Sequence, residues 1–201
     1  MKLFFLGIML LLLKPATAQE DYNLHVNDTV INIALDKKYD LTVNGQKITV
    51  KVSSKDTLVY NAGAYSFKYF KDLKVSKTIV AEGVEQIAIL TAEGSGFLIQ
   101  KYDNLDPSKL NEMMLNEVTK ESISYGFEPK RTDYKRKLSS GQSIDINKMF
   151  LKYKDDINIY EVGSLGKKDS GIIIMTIRMD DDDKTHGNQA IELLWKSFIF
   201  N

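Results

Sequence analysis

Residues 64–77 predict a β-sheet more strongly than any other part of the chain, because aromatic and polar side chains alternate there. Tyr65, Phe67 and Tyr69 occupy every second position, and successive side chains of a strand point to opposite faces of a sheet. Three aromatic rings on one face need an apolar layer to pack against. We therefore expect a strand here, a second strand at residues 74–80, and a sheet on which the rest of the folded chain packs.

The N-terminal residues have the pattern of a secretory signal peptide. Lys2 gives a positive start, residues 3–13 are apolar, and Pro15 to Ala18 supply small residues for a cleavage site. An apolar helix of this length spans about 16 Å, roughly half of a bilayer core, so no stable membrane anchor is expected. The sequence predicts a signal peptide at residues 1–18, cleavage after Ala18, and a secreted or periplasmic chain.

The chain contains no cysteine, and its charges balance, with 27 Lys and Arg against 27 Asp and Glu. The missing cysteines exclude disulfides, a lipid-modified N-terminus, catalytic thiols and thiolate metal sites. A neutral chain has no overall attraction to nucleic acid. We therefore expect a domain stabilised by its apolar core, with no nucleic-acid partner and no cofactor.

The first part of the mature chain is predicted to be a β-hairpin extension, residues 19–62. Asn44 and Gly45 separate two alternating runs, and both residues tolerate the positive φ of a type I′ hairpin turn. Residues 63–201 are predicted to form the main domain, in which residues 86–92 and 97–102 form an antiparallel pair of strands.

A helix is predicted over residues 106–126. Asp106 is a good N-cap, Pro107 suits the first helical position, and Gly126 suits the C-terminal cap. Leu110, Met114 and Val118 recur every four residues, which predicts one buried stripe. This set of residues is typical of a helix docked on a sheet.

The second half of the domain predicts more strands and one more helix. The expected strands are residues 130–138, 143–154, 157–165 and 171–179, and the last has the continuous apolar run of a strand buried on both faces. The apolar face of the second helix is formed by Ala190, Ile191, Leu194 and Trp195. The order of elements predicts an α+β fold, an antiparallel sheet flanked by helices, with the N-terminal β-hairpin extension.

From Ala64 to Phe200 the sequence resembles the PsbP-like α/β/α sandwich family, which includes PsbP of photosystem II, a Ran-binding import factor and bacterial envelope proteins. The resemblance rests on YSFKY at residues 65–69, FLIQ at residues 97–100 and LLWKSFIF at residues 193–200. The family usually has a proline after the last aromatic residue, where this chain has Phe70. The resemblance implies the sandwich fold and carries no catalytic residue, because members of one fold differ in function.

The candidate metal site is the run of four carboxylates Asp180, Asp181, Asp182 and Asp183, which offers the oxygen ligands that Ca²⁺ prefers. His186 follows the run and is a possible further ligand. The alternating ligands, central glycine and distal glutamate of an EF-hand are absent, so a solvated loop is the alternative. Residues 130–137, KRTDYKRK, hold five basic residues, and strand alternation favours a solvated edge strand protected by lysines.

Two classes of function fit these features. The first is an exported, non-catalytic binding or assembly module that docks an unidentified envelope protein through a sheet face or groove. The second is an envelope enzyme whose carboxylates come from distant parts of the sequence. A pocket on which carboxylates converge favours the enzyme, and an exposed apolar patch favours the binding module.

Overall fold

The computed structural model describes residues 21–201, so the predicted signal peptide and its cleavage site lie outside the described residues. The chain divides into two compact units at the boundary between Lys55 and Asp56. The predicted boundary between the extension and the main domain is seven residues further on, after Ala62. Each unit is described separately.

The described part of the first unit consists of two antiparallel hairpins. Strands β1 (Asp21–Val26) and β2 (Thr29–Ala34) form one hairpin, and β3 (Lys38–Val43) and β4 (Gln46–Lys51) form the other. The predicted turn is present between β3 and β4, where Asn44 and Gly45 have φ of 51° and 78°. The Tyr39 hydroxyl accepts a 2.8 Å hydrogen bond from the Ala34 amide and joins the hairpins.

The second unit holds the other eleven strands of the described chain. In chain order they are β5 (Thr57–Asn61), β6 (Tyr65–Phe70), β7 (Ser76–Ala81), β8 (Val84–Leu90), β9 (Gly96–Tyr102), β10 (Glu128–Arg131), β11 (Tyr134–Lys137), β12 (Ser143–Tyr153), β13 (Asp156–Lys167), β14 (Ser170–Arg178) and β15 (Ile199–Phe200). Eight of them form one antiparallel sheet in the order β10-β12-β13-β14-β9-β8-β7, with β11 also paired to β12. The other three form a smaller sheet in the order β15-β6-β5.

Two helices complete the second unit, α1 (Asn111–Ser124) and α2 (His186–Ser197). A 3₁₀ turn precedes α1, and the Asp106 carboxylate accepts a 2.9 Å hydrogen bond from the Ser108 amide there. Asp106 therefore caps the 3₁₀ turn, whereas α1 begins only at Asn111, after Leu110, which makes no side-chain capping bond. Gly126 has a φ of 99°, and its amide donates to the Ile123 carbonyl while the Phe127 amide donates to the Ser122 carbonyl. These two bonds close the C-terminus of α1 as predicted.

Alternation along the strands gives the large sheet two buried faces. On the first face, Ile172 and Ile174 of β14 pack with α2 and with Phe67 of the smaller sheet, whose ring meets Phe97 edge-on at 5.4 Å. On the second face, Ile173 and neighbouring residues pack around Leu115 of α1. Strand β14 is therefore buried on both faces, which confirms the prediction from its apolar run.

The predicted α+β class is wrong, because the described chain is mostly β, with 53% of residues in strands, 16% helical and only two helices. The aromatic strand explains the difference. Tyr65 and Phe67 are buried as predicted, but they belong to the three-stranded sheet and cover the first face of the large sheet together with α2. A second sheet thus occupies space that a flanking helix would fill in the predicted sandwich.

Two further details differ from expectation. Strand β7 is present, but all six of its residues are exposed, so Ile79 does not reach the core. On α1 the fully covered stripe is Asn111, Leu115 and Thr119, one position after the predicted one. The predicted residues Leu110, Met114 and Val118 are half-buried at its border.

Candidate functional site

The first face of the large sheet carries a polar area near the β10 and β11 edge. Strand register places Lys148 of β12 opposite Glu161 of β13, and Glu161 opposite Thr176 of β14. A second row runs from Lys130 of β10 through Phe150 and Ile159 to Arg178 of β14. Antiparallel pairing therefore brings charged residues from four strands together that are far apart in the sequence.

Glu161 is the centre of this area and is only 5% exposed. Its Oε1 accepts a 2.8 Å hydrogen bond from the Tyr134 hydroxyl, and its Oε2 lies 3.4 Å from the Thr176 hydroxyl. The Lys148 Nζ is 3.7 Å from Oε1, and the Arg136 Nη2 is 3.9 Å from Oε2. A buried carboxylate needs such partners, because an unpaired charge in a protein interior is costly.

Arg136 is held in place by two aromatic rings. Its Nη2 donates a 2.8 Å hydrogen bond to the Tyr134 hydroxyl, and its guanidinium carbon lies 4.8 Å from the centre of the Trp195 ring. Burial of the ring raises the pKa of Tyr134 to about 12, so its hydroxyl keeps its proton at neutral pH and donates to Glu161. The Trp195 Nε1 and the Arg136 Nε have no hydrogen-bond acceptor among residues 21–201.

The area becomes acidic at β14 and beyond it. The Arg178 Nη1 is 3.0 Å from the Asp183 Oδ1, and its Nη2 is 2.7 Å from the Glu192 Oε1 of α2. Asp181 lies beside this pair and lines the same cavity, with no ion pair to another of the residues that the structure describes. The Arg178 guanidinium therefore pairs with two carboxylates, and a third carboxylate lines the same cavity.

Two adjoining cavities occupy this area, and we call them together the Glu161 groove. The first has a volume of about 370 Å³ and is lined by the network of Glu161 and by the acidic residues around Arg178. The second has a volume of about 400 Å³ and is lined by Lys130, Thr132, Tyr134, Lys148 and Phe150. Tyr134 and Lys148 line both cavities, so the two cavities adjoin along these side chains.

The four predicted metal ligands lie in the loop between β14 and α2, where the protein uses most of them for its own contacts. The Asp180 Oδ1 accepts from the Asp182 amide at 3.1 Å and from the Asn188 Nδ2 at 2.8 Å. The Asp182 Oδ1 accepts from the Lys184 amide at 2.9 Å, Asp183 pairs with Arg178, and Asp181 lines the groove.

No three His, Cys, Asp or Glu side chains among residues 21–201 are grouped to hold a metal ion. His186, the possible fifth ligand, turns away from the acidic loop, with its Nε2 3.1 Å from the Asp72 Oδ2 and its ring against Phe70. The calcium site stays a prediction, and a thermal melt with and without Ca²⁺ tests it.

Sequence reasoning singled out the basic segment at residues 130–137 and the acidic run from Asp180 to Asp183, which both contribute to the groove, but it did not predict that they meet around Glu161. The basic segment at residues 130–137 was expected to be a solvated edge strand, and Lys135 and Lys137 of β11 are indeed exposed. Tyr134 and Arg136 alternate with them and face the groove instead. The available signal was Glu161, the single charged residue in the run from Ile157 to Leu165, but its partners are set by strand pairing.

No protein-family model matches this chain, and a search of curated proteins finds no significant match. The resemblance of residues 64–200 to the PsbP-like family therefore stays a prediction. Within residues 21–201, neither helix is long and apolar enough to cross a membrane.

Proposed function

We propose that this protein is an exported, non-catalytic binding module of the cell envelope, and that its binding site is the Glu161 groove. The observation that carries the proposal is the ion network around the buried Glu161, formed with Tyr134, Arg136 and Lys148, beneath the two adjoining cavities of the groove. A buried charge is costly unless it is paired, and ligand sites typically combine a concave surface with a few convergent polar groups.

The state of Glu161 favours binding over catalysis. Both of its carboxylate oxygens already face hydroxyl groups of the protein, those of Tyr134 and Thr176. A catalytic acid or base must reach the proton that it transfers, directly or through one water. Glu161 instead positions Arg136 and Lys148, so its role fits the support of a binding surface better than that of a reacting group.

Export is the second part of the proposal and rests on the N-terminal pattern of residues 1–18. A mature chain without cysteine suits an extracytoplasmic compartment only if its core is large enough, and the second unit has two buried apolar clusters. We expect the partner to be a component of the envelope.

Capture from the envelope fraction of the producing cell tests the binding proposal. Tagged mature protein is compared with a groove variant, Lys130→Glu with Asp181→Lys, and with a control, Lys168→Glu with Asp169→Lys in the turn between β13 and β14. We expect the original chain and the control to retain a component that the groove variant loses, with equal melting temperatures for all three. Equal capture by the groove variant, or no capture by the original chain, would contradict the proposal.

A further inference from the structure

The charges of the Glu161 groove are divided between its two ends. Lys130, Lys148 and Arg136 lie at the β10 to β12 end, where Glu161 is the carboxylate among them. Beyond β13, Arg178 faces the carboxylates of Asp181, Asp183 and Glu192. The groove as a whole balances, but one end has an excess of positive charge and the other an excess of negative charge.

The two ends also contain the charged groups that the protein leaves open to a ligand. Lys130 lines the basic end and Asp181 lines the acidic end, and neither forms an ion pair within residues 21–201. Both residues are exposed at the rim. A ligand can therefore pair with each of them without breaking a contact of the folded chain.

Beside Tyr134 and Lys148, the floor between the two ends has an apolar strip. Phe150 of β12 and Ile159 of β13 lie side by side in the row that starts at Lys130 and ends at Arg178, and both are half-buried. Neighbouring strands are about 4.8 Å apart, so the three steps of this row span about 14 Å. The middle of a matching ligand is uncharged and covers these two side chains.

From this arrangement we propose that the groove binds an elongated zwitterion, a short peptide with both termini free. Its carboxylate lies at Lys130 and Lys148, its ammonium group lies at Asp181, and its apolar side chains contact Phe150 and Ile159. An extended chain advances about 3.3–3.6 Å per residue, so about four residues match the distance from Lys130 to Arg178, whose cavity Asp181 also lines. The inference rests on the proposed binding function and adds the class of ligand.

Isothermal titration at low salt with the tetrapeptide Ala-Leu-Leu-Ala tests the proposal, using the mature protein. The same peptide is titrated with its N-terminus acetylated or its C-terminus amidated, and the dipeptide Leu-Leu is included because it is too short to reach both ends. We expect binding of the free tetrapeptide and about tenfold weaker binding of each other probe, since a hydrogen-bonded charge contributes about that much.

Variants assign each terminus of the peptide to its end of the groove. Lys130→Ala should bind the free and the C-terminally amidated peptide with nearly equal affinity, because the partner of the carboxylate is gone. Asp181→Asn should bind the free and the N-terminally acetylated peptide with nearly equal affinity, because the partner of the ammonium group is gone. The matched controls Lys168→Ala and Asp169→Asn should bind all probes as the original chain does.

Three results would each overturn the inference: the free and blocked peptides are bound equally, the free tetrapeptide is not bound at all, or blocking a terminus costs the variants as much affinity as it costs the original chain. The envelope capture described above uses no peptide. Groove-dependent capture without peptide binding would therefore reject the peptide and keep the binding function.

Discussion

Glu161 is the residue around which the proposed binding site is organised, although its carboxylate is already occupied by contacts within the protein. Its carboxylate is buried on the sheet face, and four side chains from three other strands gather around it. Breaking a buried ion network from one side is expected to cost about 3–5 kcal/mol, because it leaves charges without partners. Replacing Glu161 would thus test folding rather than binding, which is why the experiments above change residues at the rim.

Tyr134 provides a test of the network that depends on pH. Its pKa is raised to about 12 by burial, against an ordinary value of about 10 in an unfolded chain. The folded state therefore holds the phenolic proton more tightly, so the resulting stability is fully present below pH of about 10 and is lost as the pH rises towards 12. In Tyr134→Phe, the free energy of unfolding in urea should fall less steeply over this range than in the original chain.

The control for this test is Tyr125→Phe, since the Tyr125 side chain is 74% exposed. That variant should reproduce the original dependence on pH. At neutral pH, Tyr134→Phe should be destabilised by about 1.5–3 kcal/mol, because the hydrogen bond to the charged Glu161 is lost. If the free energy of unfolding of Tyr134→Phe falls with pH above 10 as steeply as that of the original chain, Tyr134 titrates as an exposed phenol.

At the scale of elements, α1 shows how narrow the buried side of a helix can be. Leu115 is fully covered, and Thr119 one turn later is also buried and donates a 2.8 Å hydrogen bond to the Leu115 carbonyl. Met113 is 57% exposed on the other side of the same helix. The contribution of this helix to stability is therefore concentrated in few side chains.

Three alanine variants of α1 test this assignment. Leu115→Ala should lower the free energy of unfolding by about 2–5 kcal/mol, because it leaves a cavity in the second core. Met113→Ala should change it by less than about 0.5 kcal/mol. The loss of free energy of unfolding in Met114→Ala should lie between the other two, because Met114 is half-buried. A larger loss in Met113→Ala than in Leu115→Ala would show that the opposite side of α1 packs on the sheet.

Local signals predicted the elements better than their partners. The turn at Asn44 and Gly45, the C-terminal cap at Gly126 and the apolar face of α2 each depend on a few adjacent residues, and all are present. The groove was not predictable in this way. Lys148 meets Glu161 only because β12 and β13 pair in one register, and periodicity within either strand does not contain that information.

At the scale of the whole molecule, the fold class was missed for the same reason. Periodicity identified the strand at Tyr65 and Phe67 but not the sheet to which it belongs. Its partners are β5, which adjoins it in sequence, and β15 at residues Ile199–Phe200, more than a hundred residues away. The pairing of β6 with the distant strand β15 completes a second sheet, which covers the first face of the large sheet.

Export also concerns the whole chain and is tested on the intact protein. Because residues 1–18 have the charged start, apolar run and small residues of a signal peptide, the secreted species should begin at Gln19. Intact-mass analysis of the extracytoplasmic fraction measures this directly. A chain that keeps Met1 and stays with the cytosol would contradict the expected localisation.

The register of β12, β13 and β14 limits how this protein can change during evolution. A deletion of one residue inside β13 would turn Glu161 towards α1 and bring Tyr160 or Val162 to the groove, so the site and the second core would be lost together. Residues added at the exposed turns of Lys154 and Asp155 and of Lys168 and Asp169 can extend into solvent and leave the paired strands in place. Length differences among descendants of this sequence should therefore accumulate at those turns, while the three strands between residues 143 and 178 keep their lengths.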